Sequence, residues 1–453
     1  MTGQQPDAGE KVAASQDGRE DPVRTLPAGA GSGGYRTVVV AASVGTFIEL
    51  YDVMVYGYFA STLAEQFFPR ADPNAALLAT FAIFAVGFFV RPIGAIIFGH
   101  IGDRRGRRPA LASSLLLMTF ATVALGLLPT YASVGLLAPV LLLLCRVLQG
   151  ISSSAEVPGA HLLILEHAPH AVRGRTVAIN NAAGHLASAA AAAVGLVLAR
   201  LLSPDQLAGW GWRVAFLIAA PIGLVGLYVR IRLLDSPAFL ALGDLARQGR
   251  APLSRALRTA KRGMLVIGVW AAVTSLGVYV LVGFLPSHLT RSVGLSAADA
   301  FAANLVAVLA LASSALLGGY LADRYPLRRV AIGLMAGVAV VAVPGFVIIT
   351  EGRTLLAAMI GQSLLAIFLG GTYTVGTILG VALVPVAVRF TAVAVAFNLG
   401  VSLFGSTAPY VGTWLVAVTQ NPIAPGIYLS AAAACGLVAA VVGVPRREVT
   451  PPA

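Results

Sequence analysis

The chain has 453 residues, of which 58% are hydrophobic and only 11% charged, with a mean hydropathy of +0.85. A soluble domain carries about a quarter charged residues, so this composition excludes a water-soluble enzyme or binding domain and implies a membrane protein. The net charge of +12 raises the question of a nucleic-acid partner, and the positions of the basic residues answer it below.

Residues 1–34 are rich in Gly, Ala, Asp and Gln and have no apolar run, which predicts a disordered tail rather than a signal peptide. At about 20 apolar residues per crossing, six helices follow at roughly 36–62, 77–101, 109–128, 134–165, 174–200 and 211–233. Six more are predicted at roughly 262–289, 298–322, 328–349, 354–383, 389–418 and 424–444. The expected organisation is therefore a six-helix half at 35–233, a linker at 234–261, a second half at 262–444 and a short tail at 445–453. The linker carries Arg247, Arg250, Arg255, Arg258 and Lys261 and is expected to lie on the membrane surface as an amphipathic helix.

Against these spans, Arg70, Arg200, Arg213, Arg291 and Arg353 fall on one side of the membrane, and Arg91 and Arg146 fall within it. The remaining basic residues lie on the other side, which makes both termini cytoplasmic. The charge encodes orientation, and no nucleic acid is expected as a partner.

The two cysteines, Cys145 and Cys435, both fall in predicted spans, so neither a disulfide framework nor a zinc site is supported. No Walker loop, dinucleotide-binding turn or metal-spaced cluster is present; no cofactor is expected, and the energy source should be an ion gradient. Ser152, Ser153, Ser154 and His161 lie close together, but small hydroxyls in a span usually serve helix packing, and an enzyme is not expected.

The sequence contains an internal repeat. Gly99-His-Ile-Gly-Asp103-Arg104-Arg-Gly-Arg107-Arg108-Pro-Ala-Leu111 is echoed by Gly319-Tyr-Leu-Ala-Asp323-Arg324-Tyr-Pro-Leu-Arg328-Arg329, and Pro169-His-Ala-Val-Arg173 by Pro385-Val-Ala-Val-Arg389. Repeated halves place a substrate site near the bilayer midplane between them and imply rocking of one half against the other. Asp103, Arg104, Arg107, Arg108, Asp323 and Arg324 are then expected to clamp the ends of neighbouring helices as gates.

The repeated loop resembles that of the major facilitator superfamily. More specifically, Gly45-Thr-Phe-Ile-Glu49-Leu-Tyr51-Asp52-Val-Met-Val-Tyr56-Gly57, Arg91-Pro-Ile-Gly-Ala-Ile-Ile-Phe-Gly99, Trp212-Arg213-Val-Ala-Phe216 and Asp235-Ser-Pro-Ala-Phe239 resemble the metabolite:proton symporters. The stretches 284–289 and 396–405 are similar to the same family. The resemblance implies an all-α membrane protein with twelve transmembrane helices in two pseudo-symmetric halves. It also implies a monomer that imports a small polar metabolite, an organic acid or a zwitterion such as a betaine or proline, with protons across a bacterial inner membrane.

The chain departs from the family at Ser154-Ala155-Glu156, where Gly-Gly-Glu is common, and at the following Pro158 and His161. No heptads follow Val444, so osmosensing through the terminal coiled coil of the family's osmosensing branch is not expected. The Gly-Pro motif of many exporters is replaced in span five by Gly184-His185-Leu-Ala-Ser. That weakens the alternative of a proton-coupled exporter, which stays open beside a non-transporting receptor.

Ionisable side chains deep in a span cost about 2.5–3.5 kcal/mol each, so Glu49, Asp52, Arg91, Arg146 and Glu156 ask for a role. Glu49, Asp52 and Tyr56 recur at i, i+3 and i+7, one helical stripe that is expected to face the central cavity. Three acids face two arginines. If each arginine neutralises one acid, the third is free to load and release a proton, with Glu49 or Asp52 as carrier, Glu156 paired and Arg146 poising a carboxylate. Substrate contacts are expected among Tyr51, Tyr56, Arg91, Gln149, His161, His185, Tyr279, Tyr373 and Asn398.

Overall fold

The computed structural model describes residues 32–69, 72–105, 107–153, 164, 172–234, 253–385 and 388–445. Ser154, Glu156 and His161 lie outside the described residues, as do most of the predicted N-terminal tail and the linker segment 235–252. The side chains of Asp103, Arg104, Arg107 and Arg108 also fall outside them.

The described residues are helical apart from short connections. Among the described residues twelve long helical segments follow one another, nine of them long and apolar enough to cross a membrane and the other three being α1, α3 and α4: α1 (Ser32–Tyr58), α2 (Pro73–Phe98), α3 (Arg107–Leu127), α4 (Leu137–Ser152), α5 (Arg173–Leu201), α6 (Pro204–Tyr228), α7 (Lys261–Val293), α8 (Ala297–Arg324), α9 (Leu327–Gly352), α10 (Leu355–Ala382), α11 (Thr391–Thr419) and α12 (Ala424–Gly443). Their outward faces are apolar; Ile96, Leu136, Leu201 and Val340 are each more than 70% exposed, as a lipid-facing belt requires.

Several boundaries have plain local causes. The second span begins at Pro73 rather than 77, because Asp72 accepts hydrogen bonds from the N–H groups of Asn74 and Ala75 at 3.0 Å and Pro73 occupies the first helical position. It breaks at Val90 and resumes at Arg91, next to Pro92, which has no N–H to donate. The eleventh span, predicted continuous, holds a π-helical turn at Val401–Gly405 ahead of Pro409. The seventh holds two such turns, Val280–Phe284 and Leu289–Val293, flanking Pro286. In both helices the widened turn adjoins the place where proline removes a backbone bond. The linker yields one described helix, Leu253–Thr259, directly before α7.

α5 packs along both α1 and α8, and α8 lies between α5 and α10, so the two halves meet chiefly through α5 and α8. Glycines permit this approach: a Cβ on Gly319 would collide with the carbonyl oxygen of Gly174, and one on Gly174 with that of Gly319. The quoted Trp212-Arg213 pair is structural. Arg213 donates to the carbonyls of Gly126 and Leu128 at 2.8 and 2.7 Å, satisfying the end of α3, while Trp212 packs edge-on against Phe67.

Candidate functional site

Inside the first half, α1, α3 and α4 bring three polar side chains together. Gln149 donates through Nε2 to Asp52 Oδ1 and to Thr122 Oγ1, both at 3.0 Å, and Thr122 also donates to Asp52. Arg146 donates to Gln149 Oε1 at 2.9 Å, so the guanidinium reaches the carboxylate through one amide. Its plane is held over the rings of Tyr56 and Phe84, 4.5 and 4.9 Å from their centroids. All four polar side chains are at most 4% exposed. The sequence builds this arrangement by pressing α4 onto α2 through glycines. A Cβ on Gly150 would strike the Gly87 carbonyl, and one on Gly94 the Ile151 carbonyl.

One turn back on α1, Glu49 pairs with Arg91 at 3.4 Å, and Arg91 lies over Phe88. The expected count of acids against arginines resolves in part. Glu49 has its arginine, whereas Asp52 is bonded to an amide and a hydroxyl, with no ion pair among the described residues. The expected cavity stripe is displaced by about one position: Thr46, Leu50 and Met54 line the cavity from α1. Glu49, Asp52 and Tyr56 engage partners on α2, α3 and α4 instead. Buried charges seek donors and counter-ions, and those lie within the half rather than between the halves.

A central cavity lies between the halves. It is lined by Thr46, Leu50 and Met54 of α1, Asn181, His185 and Ser188 of α5, Ser275, Val278 and Tyr279 of α7, and Tyr373 of α10. His185 meets the Tyr373 ring edge-on at 5.7 Å. Tyr279 in turn packs edge-on against Phe84 and Phe88, the rings that carry the two arginines, which joins the cavity to the buried charges.

Of the expected substrate contacts within the described residues, His185, Tyr279 and Tyr373 are brought together here, and Tyr51, Tyr56, Arg91, Gln149 and Asn398 are not. Tyr51 donates to the Ala215 carbonyl and Tyr56 to the Thr80 carbonyl, both at 3.0 Å and inside the first half. Asn398 donates to Ala394 on its own helix. Arg91 and Gln149 belong to the charge cluster. Asn181 and Ser188 were not anticipated from the sequence. Their spacing with His185, i, i+4 and i+7, carried the signal of a polar helical stripe.

The halves are bridged at both ends. At the end carrying the loop motif, Asp323 of α8 accepts hydrogen bonds from the backbone N–H groups of Gly174 and Arg175, at 2.7 and 3.0 Å, which open α5. The neighbouring Arg324 bonds Tyr320 of its own helix. At the opposite end, Arg291 of α7 donates to the Pro73 carbonyl at 3.0 Å and to Ser61 Oγ at 3.3 Å, and pairs with Glu65 at 3.5 Å. Arg200 pairs with Asp299 nearby at 3.7 Å.

A family model described as "Sugar (and other) transporter" matches residues 37–262. The chain is 32% identical over 429 residues to a proline/betaine transporter of Salmonella typhimurium, covering 92% of this chain and 84% of the relative. It is 31% identical over 428 residues to the Escherichia coli K12 protein of the same name, with the same coverage. The chain belongs to the metabolite:proton symporters of the major facilitator superfamily. Among solved structures, a D-xylose-proton symporter shares the superfamily fold at TM-score 0.70 and 20% identity, over 90% of this chain and 98% of the other. A partially occluded, inward-open xylose transporter of E. coli does so at TM-score 0.68 and 19% identity, over 90% and 97%. As a member of this superfamily the chain is a transporter and not an enzyme, a multi-pass protein of the bacterial plasma membrane with a small-molecule substrate.

Proposed function

We propose that this transporter is a monomeric proton-coupled symporter. It imports a small zwitterion by alternating access, with both termini cytoplasmic. The observation that carries the reading is Asp52: a buried carboxylate whose hydrogen bonds, among the described residues, come from neutral groups. Its neighbours suit either protonation state. With the carboxylate charged, Thr122 and Gln149 both donate to it. With Asp52 protonated, the Thr122 hydroxyl turns to the Met118 carbonyl, already within 2.9 Å, and accepts the new O–H. Arg146, one amide away, stabilises the charged form without neutralising it outright.

Two features favour a zwitterion over a di- or tricarboxylate. Among the described residues, those lining the cavity include two tyrosines, an imidazole, an amide and small hydroxyls, and no carboxylate or guanidinium. A multiply charged acid would be left without counter-charge in such a space, whereas tyrosine faces suit an organic ammonium. The curated relatives are also named proline/betaine transporters.

The test is uptake into proteoliposomes of labelled proline, glycine betaine, 2-oxoglutarate, citrate and shikimate under an inward proton gradient. Protonophore-sensitive accumulation of a zwitterion supports the reading. Expulsion of substrate against an inward proton flow would replace it with the exporter.

A further inference from the structure

Asn181 gives the cavity a chemical preference that composition alone does not. Its amide is oriented by a chain of hydrogen bonds running into the second half. Thr374 spends its only proton on the Ala315 carbonyl, at 3.0 Å. The Thr374 oxygen must therefore accept in its contact with Asn181, at 3.3 Å, which assigns Nδ2 to that side and turns Oδ1 away from it. Asn181 lines the cavity, and Oδ1 is buried without a hydrogen-bond partner among the described residues. One turn along α5, His185 lines the same cavity with Nε2 in the same condition.

An acceptor fixed in this way is satisfied by a ligand that brings a donor and penalised by one that does not. From this geometry we infer that Asn181 Oδ1 receives an N–H of the substrate's ammonium group. The substrate class is then a compact amino or imino acid that keeps an N–H, in preference to a fully N-methylated betaine. His185 Nε2 faces the same ligand from the next turn and is available to its carboxylate as a donor. The tyrosine rings of Tyr279 and Tyr373 serve the cationic group in either class; only the amide oxygen tells the two apart. A buried polar group left unpaired by the wrong ligand is the strongest discriminating device a binding site has. The inference rests on the cavity being the substrate site, as proposed above.

The experiment is equilibrium competition on detergent-purified full-length protein, with proline, N-methylproline and N,N-dimethylproline displacing labelled proline. The three differ only in carrying two, one or no N–H on a ring of nearly constant shape. Affinity is expected to fall along the series, with the donor-free member weaker than proline by about 10- to 100-fold. Asn181→Leu, similar in shape and without the acceptor, is expected to level the series to within about threefold. Thr374→Val removes the group that orients the amide and should narrow the spread without touching the ligand, which keeps the test decisive if Asn181→Leu fails to fold.

Equal affinity for all three in the unaltered protein overturns the inference and leaves the zwitterion reading standing. Discrimination that persists in a folded Asn181→Leu also overturns it. Binding of a dicarboxylate with none of the three overturns both. Because binding is read without a gradient, none of these outcomes depends on whether transport is proton-coupled.

Discussion

Asp323 caps a helix that belongs to the other half of the molecule, its Oδ1 accepting the N–H of Gly174 at 2.7 Å while Oδ2 takes that of Arg175. A carboxylate at the positive end of α5 gains from both the hydrogen bonds and the helix dipole, about 1 kcal/mol in comparable caps. Asp323→Asn keeps one acceptor and loses the charge. The state closed at this end should lose about fivefold in population, and the maximal transport rate should change while the ranking of competing substrates stays as it was. A reordered ranking in a competition assay would remove Asp323 from the gate.

The opposite end should respond unequally to its two arginines. Arg200 is exposed and Asp299 about a third exposed, and such surface pairs contribute about 0–1 kcal/mol. Asp299→Asn is expected to leave uptake within about twofold of the unaltered protein. Arg291 is half-buried and holds two backbone or hydroxyl oxygens besides Glu65. Arg291→Gln should increase alkylation of a cysteine introduced at Ser61 and lower concentrative uptake several-fold. Equal effects from the two substitutions would show that charge alone, and not the set of contacts, holds this end shut.

Glu49 and Asp52 should fail in different ways. Glu49→Gln strands Arg91 beside Phe88 without its carboxylate, a change that costs about 3–5 kcal/mol for a buried pair. The expected signature is a lower melting temperature, recovered in the double variant Glu49→Gln/Arg91→Gln. Asp52→Asn preserves shape and an acceptor. It should fold normally and exchange substrate across the membrane, yet lose protonophore-sensitive accumulation. Normal accumulation by Asp52→Asn in proteoliposomes would move the proton carrier elsewhere.

The α5–α8 approach sets a steric limit that is independent of charge. Gly319→Ala places a Cβ against the Gly174 carbonyl and the Ala178 methyl, with no flexible side chain to yield. Spin labels at the facing ends of α5 and α8 should report a longer distance in Gly319→Ala than in the unaltered protein. An unchanged distance would mean that the helices slide past one another at no cost.

Much of this was legible in the amino-acid sequence, because apolar length decides membrane crossing and the repeat decides the division into halves. The interruptions were less so. Pro92, Pro286 and Pro409 were visible, but whether a proline ends a helix, as near Val90, or is absorbed by a wider turn, as near 280–284 and 401–405, depends on neighbouring helices. At the site, the sequence grouped Glu49, Asp52, Arg91 and Arg146 with Glu156, which lies outside the described residues, and spacing alone did not indicate that Glu49 and Asp52 have their partners on α2, α3 and α4. Spacing on α1 places Glu49, Asp52 and Tyr56 on one stripe, but it is Gly87, Gly94 and Gly150, by drawing α4 onto α2, that put Arg146 and Gln149 within reach of it. The cavity wall was assembled from helices far apart in sequence. Asn181 became informative only through Thr374 and Ala315, contacts that no local pattern encodes.

The Asp323 cap also constrains how the protein can recover from damage. Its hydrogen-bond partners are main-chain N–H groups, which every residue except proline supplies, with the exposed Arg175 guanidinium adding an ion pair at 3.7 Å, so no exchange of a partner side chain can re-create the grip once the carboxylate is gone. Second-site revertants of a crippled Asp323 allele should therefore be scarce at positions 174 and 175. They should collect instead where the contrary state is held, around Arg291 and the short helix Ala60–Phe67 that bears Ser61 and Glu65, because weakening that contact restores the balance between the two ends.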